Sequence, residues 1–570
     1  MNYIENFLLW KDNEFFDQKT RDYLSKLDMD KDAKAIEDRF YKELEFGTAG
    51  LRGVMGVGTN RMNKYTVGKA TAGYAEYLSD TYSSEECLER GVVIAYDTRN
   101  NSSHFAKVAA RIFTSYGIKV AIFKFATPIP ILSFAIRNNY ALGGIVITAS
   151  HNPKEYNGYK VYDETGCQLG VDESNKVTEY INDIESYEDI DFDGDEELIH
   201  EIDLLNEYTN TISRQSIFHD NVAKSNLKVV FTPLHGTGLI PVYKALKENG
   251  FSNVHVVEEQ KKPDGNFSTV PSPNPGDKNA LKMGIEKALE LGYDIVIGTD
   301  PDSDRLGVAV KVNNDFKLLT GNQIGALLID FIINNKDLSN FRNPVIIKSI
   351  VTSDLGKVIA DRKGIPTLQT LTGFKFIGER MNEFVQAKRE GNRNKNYDFL
   401  FGYEESYGFL AGSHARDKDA VFSALLVCEM AAKLKSEGKT LNDRLNELYS
   451  DFGYYYDVQD NLTLKGKENA DKISGYMDKL RNSESPFEGT KKVIDYKKGM
   501  MAEEGFGYLP SSNVLMYILN DDSWIAVRPS GTEPQIKFYY SIKGATEAEA
   551  TSRQIKLKES LKVFLNLDNY

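Results

Sequence analysis

Cysteine is scarce. The 570 residues hold three, Cys87, Cys167 and Cys428, far apart and odd in number. That excludes a disulfide framework and suits reduced thiols in the cytosol. No apolar run approaches the ~20 residues of a membrane span. The opening MNYIENFLLWKDNEFF has no basic start before its apolar patch, so no secretory signal is expected. Basic charge is in deficit: Lys and Arg total 69 against 83 Asp and Glu, a net charge of −14. Nucleic-acid affinity comes from clustered Lys and Arg, so this chain is a poor general binder of nucleic acid. A small anion can bind only where positive groups gather locally. The expectation is a soluble cytoplasmic protein that engages neither nucleic acid nor membrane.

What is present is a rhythm of short β-rich runs and longer helical patterns. GVVIAYDTR from Gly91, LKVVFTPLHGTG from Leu227, YDIVIGTD from Tyr293 and PVIIKSIVTSD from Pro344 are apolar strands that open into polar loops. Helical stretches follow each. This is the βαβ pattern of α/β domains, whose sites lie at the carboxyl ends of strands. At about 150 residues per domain the length suits roughly four domains. Boundaries are expected near 205, 317 and 445, giving 1–205, 206–317, 318–445 and 446–570. The segment from Asp183 to Asp203 carries eleven acidic residues in twenty-one. Its charges repel and bury little, so it reads as a solvated surface element or linker.

Four constellations carry chemistry. In TASHNP, an apolar β-branched run delivers Ser150 and His151 to a loop at a strand end. A protease-like triad needs a buried acid behind the histidine and usually a G-x-S-x-G elbow. Thr148, Ala149 and Asn152 flank Ser150 instead, and in an extended strand neighbours face opposite ways. In GTDPDSDRLG, Asp300, Asp302 and Asp304 alternate after a buried strand, and an extended loop projects all three carboxylates to one side. Their mutual repulsion calls for a cation, and oxygen ligands favour Mg²⁺, Mn²⁺ or Ca²⁺. An EF-hand counted from Asp300 fails, since Arg305 and Lys311 hold the Gly and Glu positions.

The third constellation is VRPSGTEP. Arg528 offers a planar fork for phosphate, Ser530 and Thr532 add hydroxyls, and Gly531 lets a backbone N–H approach. It is not a P-loop: the one GKT, at Gly438–Thr440, has Lys433 where the first glycine belongs. Nor is there a G-x-G-x-x-G, because Pro241 replaces the third glycine after Gly236 and Gly238. The fourth is GYEESYG, in which Glu404 and Ser406 alternate and suit a sugar's hydroxyls.

Taken together and in this order, the motifs resemble the α-D-phosphohexomutase family over nearly the whole chain. FGTAGLRG, carrying Arg52, is similar to its N-terminal active-site segment, and NGYK carries its lysine, Lys160. The length, with FGTAGLRG, GYEESYGF and SHARDKDA, is most like the longer phosphoglucomutase and phosphopentomutase-type members. The resemblance implies three similar α/β domains with mixed sheets and a smaller α+β fourth domain around a central cleft. It implies a phosphoserine at Ser150, and one Mg²⁺ held by Asp300, Asp302, Asp304 and a phosphoryl oxygen on Ser150. It implies a sugar grip at Thr372, Gly373, Glu404, Ser406 and Lys418, with Arg305 also near substrate. A distal phosphate site follows at Arg528, Ser530, Gly531 and Thr532. Lys160, Arg52, Arg305 and His151 are the candidates for proton transfer or charge stabilisation.

The implied activity interconverts glucose 1-phosphate and glucose 6-phosphate through glucose 1,6-bisphosphate, which also serves as activator. Pentose or mannose phosphates are the nearest alternative substrates. A metal-dependent phosphatase is a rival from another class, but its zinc types want clustered histidines. The seven here come no closer than His219 and His235. A non-catalytic binding protein would not need every motif intact. Monomer and homodimer stay open.

Overall fold

The computed structural model describes residues 2–47, 50–392, 396–463, 470–501, 508–530 and 535–567. Two compact units divide the chain. The first comprises Met1–Leu319, Gly378–Asn382 and Gly408–Lys433; the second comprises Thr320–Ile377, Glu383–Tyr407 and Leu434–Tyr570.

The first unit holds two mixed sheets. In one, Val92–Tyr96 lies between Gly143–Ile147 and Val120–Phe123, parallel to both. Tyr156–Asp163 then adds antiparallel to Gly143–Ile147, and Leu51–Val54 antiparallel to that. Every residue of Val92–Tyr96 and Gly143–Ile147 is buried, as parallel strands covered on both faces require. Helices Lys64–Thr81 and Ser102–Ser115 pack on this sheet, and Asn63 starts the former with a capping box. The second sheet runs Asp315–Leu318, Leu306–Val312, Ile295–Thr299, Lys228–Thr232, Asn253–Val256. Its last three strands are parallel and the first two antiparallel. The expected boundary at 317 falls inside the strand Asp315–Leu318. The break comes at Leu319, before Thr320 caps the next helix.

Residues ahead of the first sheet form three short helices, Tyr3–Asp12, Gln18–Ser25 and Ala33–Phe40. Phe7, Trp10, Phe16 and Phe40 bury against Tyr65 and Tyr187, with Trp10 stacked on Phe16 at 4.4 Å. Tyr187 belongs to the acidic segment. That segment is more than solvated linker: all eleven carboxylates are exposed, but Tyr187 and Ile190 are core residues. Its Ile199–Ile202 is the edge strand beside Val120–Phe123.

In the second unit, Pro344–Ser349 is parallel to both Thr367–Thr370 and Asp398–Glu404. Behind it, an antiparallel sheet runs Tyr454–Thr463, Gln535–Gly544, Trp524–Pro529, Leu515–Leu519, Thr490–Asp495. Ile350, Val351 and Leu371 share one apolar cluster with Val514, Met516, Trp524 and Tyr539, so the last sheet packs on the strands before it. The expected boundary at 445 falls within the helix Leu441–Phe452. Four α/β domains, three with mixed sheets and a last one built on an antiparallel sheet, make up the chain. Among the described residues no helix is long and apolar enough to cross a membrane, and the three cysteines are buried free thiols.

Candidate active site

The fully buried strand Gly143–Ile147 ends at Thr148, and Ser150 follows with φ of 51°. The left-handed backbone turns the hydroxyl away from the path of the strand. Ser150 and His151 therefore do not face opposite ways, as an extended chain would have them. Ser150 Oγ lies 3.2 Å from His151 Nδ1 and donates to Asp300 Oδ2 at 2.8 Å. Gly158 of the NGYK segment lets the neighbouring strand come close, since a Cβ there would sit 2.5 Å from the Thr148 carbonyl oxygen. Among the described residues no carboxylate hydrogen-bonds the His151 ring, so a protease-like triad is not assembled.

The three aspartates converge as expected, though by another route. The loop after Ile295–Thr299 is a turn, with the Ser303 amide donating to Asp300 O at 3.0 Å and Ser303 at φ of 52°. Ligand atoms of Asp300, Asp302 and Asp304 lie within 4.8 Å of one another, all three residues buried. Asp300 Oδ1 accepts the backbone N–H groups of Asp304 and Arg305 at 3.1 and 3.0 Å. Among the described residues, Oδ1 of Asp302 and Oδ1 of Asp304 are buried without a hydrogen-bond partner. Buried acceptors of this kind are costly unless something polar or cationic faces them. Hard oxygen donors with lone pairs to spare fit a divalent cation.

Two lysines complete the cluster. Lys160 Nζ lies 3.2 Å from Asp302 and 3.6 Å from Asp304. Lys418 Nζ lies 3.1 Å from Asp304 and 3.0 Å from Asp417. Arg305 Nε stands 3.7 Å from Asp304, and Arg52 donates to Asn152 Oδ1 at 3.4 Å. The electrostatics split the carboxylates. Burial and then Asp302 and Asp304 push Asp300 well above the usual carboxylate range. Burial also opposes ionisation of Asp304, but Lys418, Lys160 and Arg305 outweigh it and hold that carboxyl low. Burial, Arg305 and Arg52 push His151 well below the ordinary imidazole range, so its ring is neutral at pH 7. The loop bearing Lys418 is fastened on both sides. Asp417 accepts from Tyr162 OH and Gln168 Nε2 at 2.8 Å each, and Asp419 from Tyr208 OH at 2.7 Å.

In the second unit two of the sugar-loop residues meet. The Gly373 N–H donates to Glu404 Oε1 at 2.7 Å, and Gly373 holds φ of 117°, which suits glycine. Thr372 and Ser406 are half-buried beside them in sequence. Glu405 is anchored instead, taking Ser349 Oγ and Thr352 Oγ1 at 3.1 Å each. Arg528 lies on Trp524–Pro529 opposite Lys537. Burial and then Glu405 raise the Tyr539 phenol; Arg528, hydrogen-bonded to it, pulls the other way. Ser530 donates its N–H to Gln535 O at 2.8 Å. Gly531 and Thr532 lie outside the described residues, as do Thr48 and Ala49 of FGTAGLRG.

Sequence reasoning missed Asp97, Arg99 and Thr148. Thr148 Oγ1 lies 2.7 Å from Asp97 Oδ2 and 3.0 Å from Asp302 Oδ2, and accepts the Ser150 N–H at 2.9 Å. The signal was the polar DTR where the strand Val92–Tyr96 ends.

Three family models match in order. Those described as phosphoglucomutase/phosphomannomutase, alpha/beta/alpha domains I, II and III cover residues 43–188, 206–313 and 320–452. The chain belongs to the α-D-phosphohexomutase family. A phosphohexomutase relative from Staphylococcus haemolyticus, named phosphoglucomutase, is 38% identical over 562 residues, spanning 94% of this chain and 96% of its own. One from Staphylococcus aureus with the same name is 37% identical over 556 residues, spanning 95% and 97%. Among solved structures, the Paramecium phosphoprotein pp63/parafusin superposes with a TM-score of 0.68 at 18% identity, covering 93% of this chain and 97% of that one. A phosphomannomutase structure from Thermus thermophilus gives 0.67 at 22%, covering 91% and 99%. At these identities both structures speak for the phosphohexomutase fold alone.

Proposed function

We propose that this phosphohexomutase interconverts glucose 1-phosphate and glucose 6-phosphate, with Ser150 as the phosphoryl carrier and glucose 1,6-bisphosphate as intermediate. The observation that carries the reading is one buried cluster in which the Ser150 hydroxyl meets three aspartates and two lysines. The relatives named phosphoglucomutase, which match nearly its whole length, support the choice of glucose phosphates.

In the first half-reaction a hydroxyl of the sugar monophosphate attacks the phosphorus on Ser150. The P–O bond to Ser150 breaks and a bisphosphate forms. In the second half the other phosphate of the bisphosphate is attacked by Ser150 Oγ, and the isomeric monophosphate leaves. Such transfer is mostly positioning and charge neutralisation. A phosphoserine adds about −1.5 to −2 charges, which Lys160, Lys418, Arg305 and Arg52 are placed to offset. Neutral His151, with Nδ1 3.2 Å from Ser150 Oγ, relays the proton that passes between that atom and the sugar hydroxyl without keeping it, because burial, Arg305 and Arg52 oppose its charged form. Asp300, Asp302 and Asp304 would hold Mg²⁺, which supplies Lewis-acid neutralisation of the phosphoryl group. Glu404, Gly373 and Ser406 grip the sugar hydroxyls, and Arg528 grips the phosphate that is not reacting. The cytoplasm as its compartment belongs to this reading, supported by the buried free thiols.

A coupled assay across glucose, mannose and ribose 1-phosphates tests the proposal. The highest kcat/KM is expected for glucose 1-phosphate. A preference for the ribose or mannose compound overturns the assigned sugar, and release of inorganic phosphate without isomerisation overturns the mutase.

A further inference from the structure

We infer that Arg99 is a positioning residue for phosphoryl transfer, which holds the Ser150 loop by its own carbonyl oxygens. The inference rests on Ser150 as the phosphoryl carrier. Arg99 follows the strand Val92–Tyr96, and its side chain is 0% exposed. Its Nη2 donates to Ser150 O at 2.6 Å and to Asn152 O at 2.5 Å. Its Nη1 donates to Pro153 O at 2.9 Å and to Tyr156 O at 3.1 Å. One side chain thus gathers four carbonyls of the stretch 150–156. Carbonyl dipoles pointed at a common centre repel unless a cation with several donors sits there. The guanidinium supplies five N–H groups in one rigid plane.

The guanidinium is itself held. Nε faces Asp97 at 3.3 Å, and the Phe267 ring lies 4.9 Å from the guanidinium carbon. Asp97 also takes Ser102 Oγ at 2.6 Å and the Arg99 amide at 2.9 Å. Through Thr148, Asp97 reaches the Ser150 amide. The loop is therefore fixed from its carbonyl side and its amide side, and Ser150 stays at φ of 51°, a conformation that non-glycine residues avoid unless held there.

Packing does not account for this clamp. Pro153, Lys154 and Glu155 are exposed, and His151, Asn152 and Tyr156 are half-buried. A buried Arg whose one ion pair among the described residues is with Asp97 is a costly way to order such a loop. In the stretch 150–156 the fully buried residue is Ser150, with Oγ 2.8 Å from Asp300. What the clamp secures is the place of the nucleophile.

Arg99→Lys keeps the charge and loses the planar fork. The full-length variant is compared with wild type for kcat and KM with glucose 1-phosphate, corrected for the folded fraction, and for phosphorylation of Ser150 by glucose 1,6-bisphosphate, followed by peptide mass spectrometry. A misplacement of about 1 Å costs on the order of 100-fold, so kcat is expected to fall roughly 10- to 100-fold with KM within about twofold. Ser150 phosphorylation should slow in parallel. Folded Arg99→Lys with wild-type kcat and phosphorylation rate overturns the inference, as does an activity loss accounted for entirely by a smaller folded fraction. Should Arg99→Lys not accumulate as folded protein, Asp97→Asn, which loosens the orientation of Arg99, carries the same expectation and the same contrary result. Wild-type protein that never takes phosphate on Ser150 would instead remove the carrier assignment, and is read separately.

Discussion

Two aspartates of one loop, Asp300 and Asp304, are driven in opposite electrostatic directions. Asp300 spends one oxygen on backbone amides and the other on Ser150, and its ionisation is opposed by burial and by its neighbours. Among the described residues, Asp302 and Asp304 each keep one buried oxygen without a hydrogen-bond donor. Asp302→Asn removes an anionic ligand while it relieves repulsion. The expected outcome is divalent-metal affinity at least about tenfold weaker, read by Mn²⁺ binding and by the Mg²⁺ dependence of activity, with a thermal midpoint no lower than wild type. Metal affinity equal to wild type would contradict the assignment of the ligands. The spacing of these residues was legible in the sequence, but the turn that brings them together was not. It depends on Ser303 in a left-handed conformation, which a serine does not announce. Asp97 and Arg99 were hidden for a related reason: a DTR after a strand reads as an ordinary loop until the carbonyls it holds are seen.

Elements carry their own tests. The strand Trp524–Pro529 delivers Arg528, proposed to grip the phosphate that is not transferred. Loss of a charge-assisted hydrogen-bonding partner costs roughly 1.5–3 kcal/mol, or on the order of 10- to 100-fold in affinity. Arg528→Ala should raise KM by that factor. It should also need more added glucose 1,6-bisphosphate, because an intermediate that escapes strands Ser150 without phosphate. Initial rates against bisphosphate concentration check both, and unchanged values would reduce the segment to a structural turn.

The edge strand of the same sheet, Tyr454–Thr463, carries Asp457, whose carboxyl burial pushes from 3.8 up to about 6, with Ser541 and Ser353 pulling it back. A carboxyl raised in the folded state favours folding at low pH. Its penalty grows as pH rises from 3.8 to about 6 and is full above that. Asp457→Asn, which keeps an acceptor for Ser541 Oγ, should therefore raise Tm more at pH 8 than at pH 5. Equal shifts at the two pH values would show that the carboxyl titrates normally. At this scale the strands and their polar ends were readable from apolar runs. The acidic segment was read only in part: its carboxylates are solvated as expected, but its charge count masks Tyr187 and Ile190, which are buried.

At the scale of the molecule, the βαβ rhythm and four ordered motifs made the fold class and the family legible. The division into two units was not. The chain passes between them at Leu319, Ile377, Asn382, Tyr407 and Lys433. Membership follows contacts far apart in sequence, for which no local pattern exists. Lys418 thus belongs to the unit of Ser150, and Glu404, fourteen positions earlier, to the other.

The central claim is that Ser150 carries the phosphoryl group. Purified wild-type protein and Ser150→Ala, each incubated with glucose 1,6-bisphosphate, can be compared by intact mass and by mass spectrometry of the peptide containing residue 150. The account predicts one added phosphate on wild type, located on Ser150, discharged by glucose 1-phosphate. It predicts none on Ser150→Ala, with nearly all mutase activity lost. Phosphate found reproducibly at another residue, or an active Ser150→Ala enzyme, would contradict it.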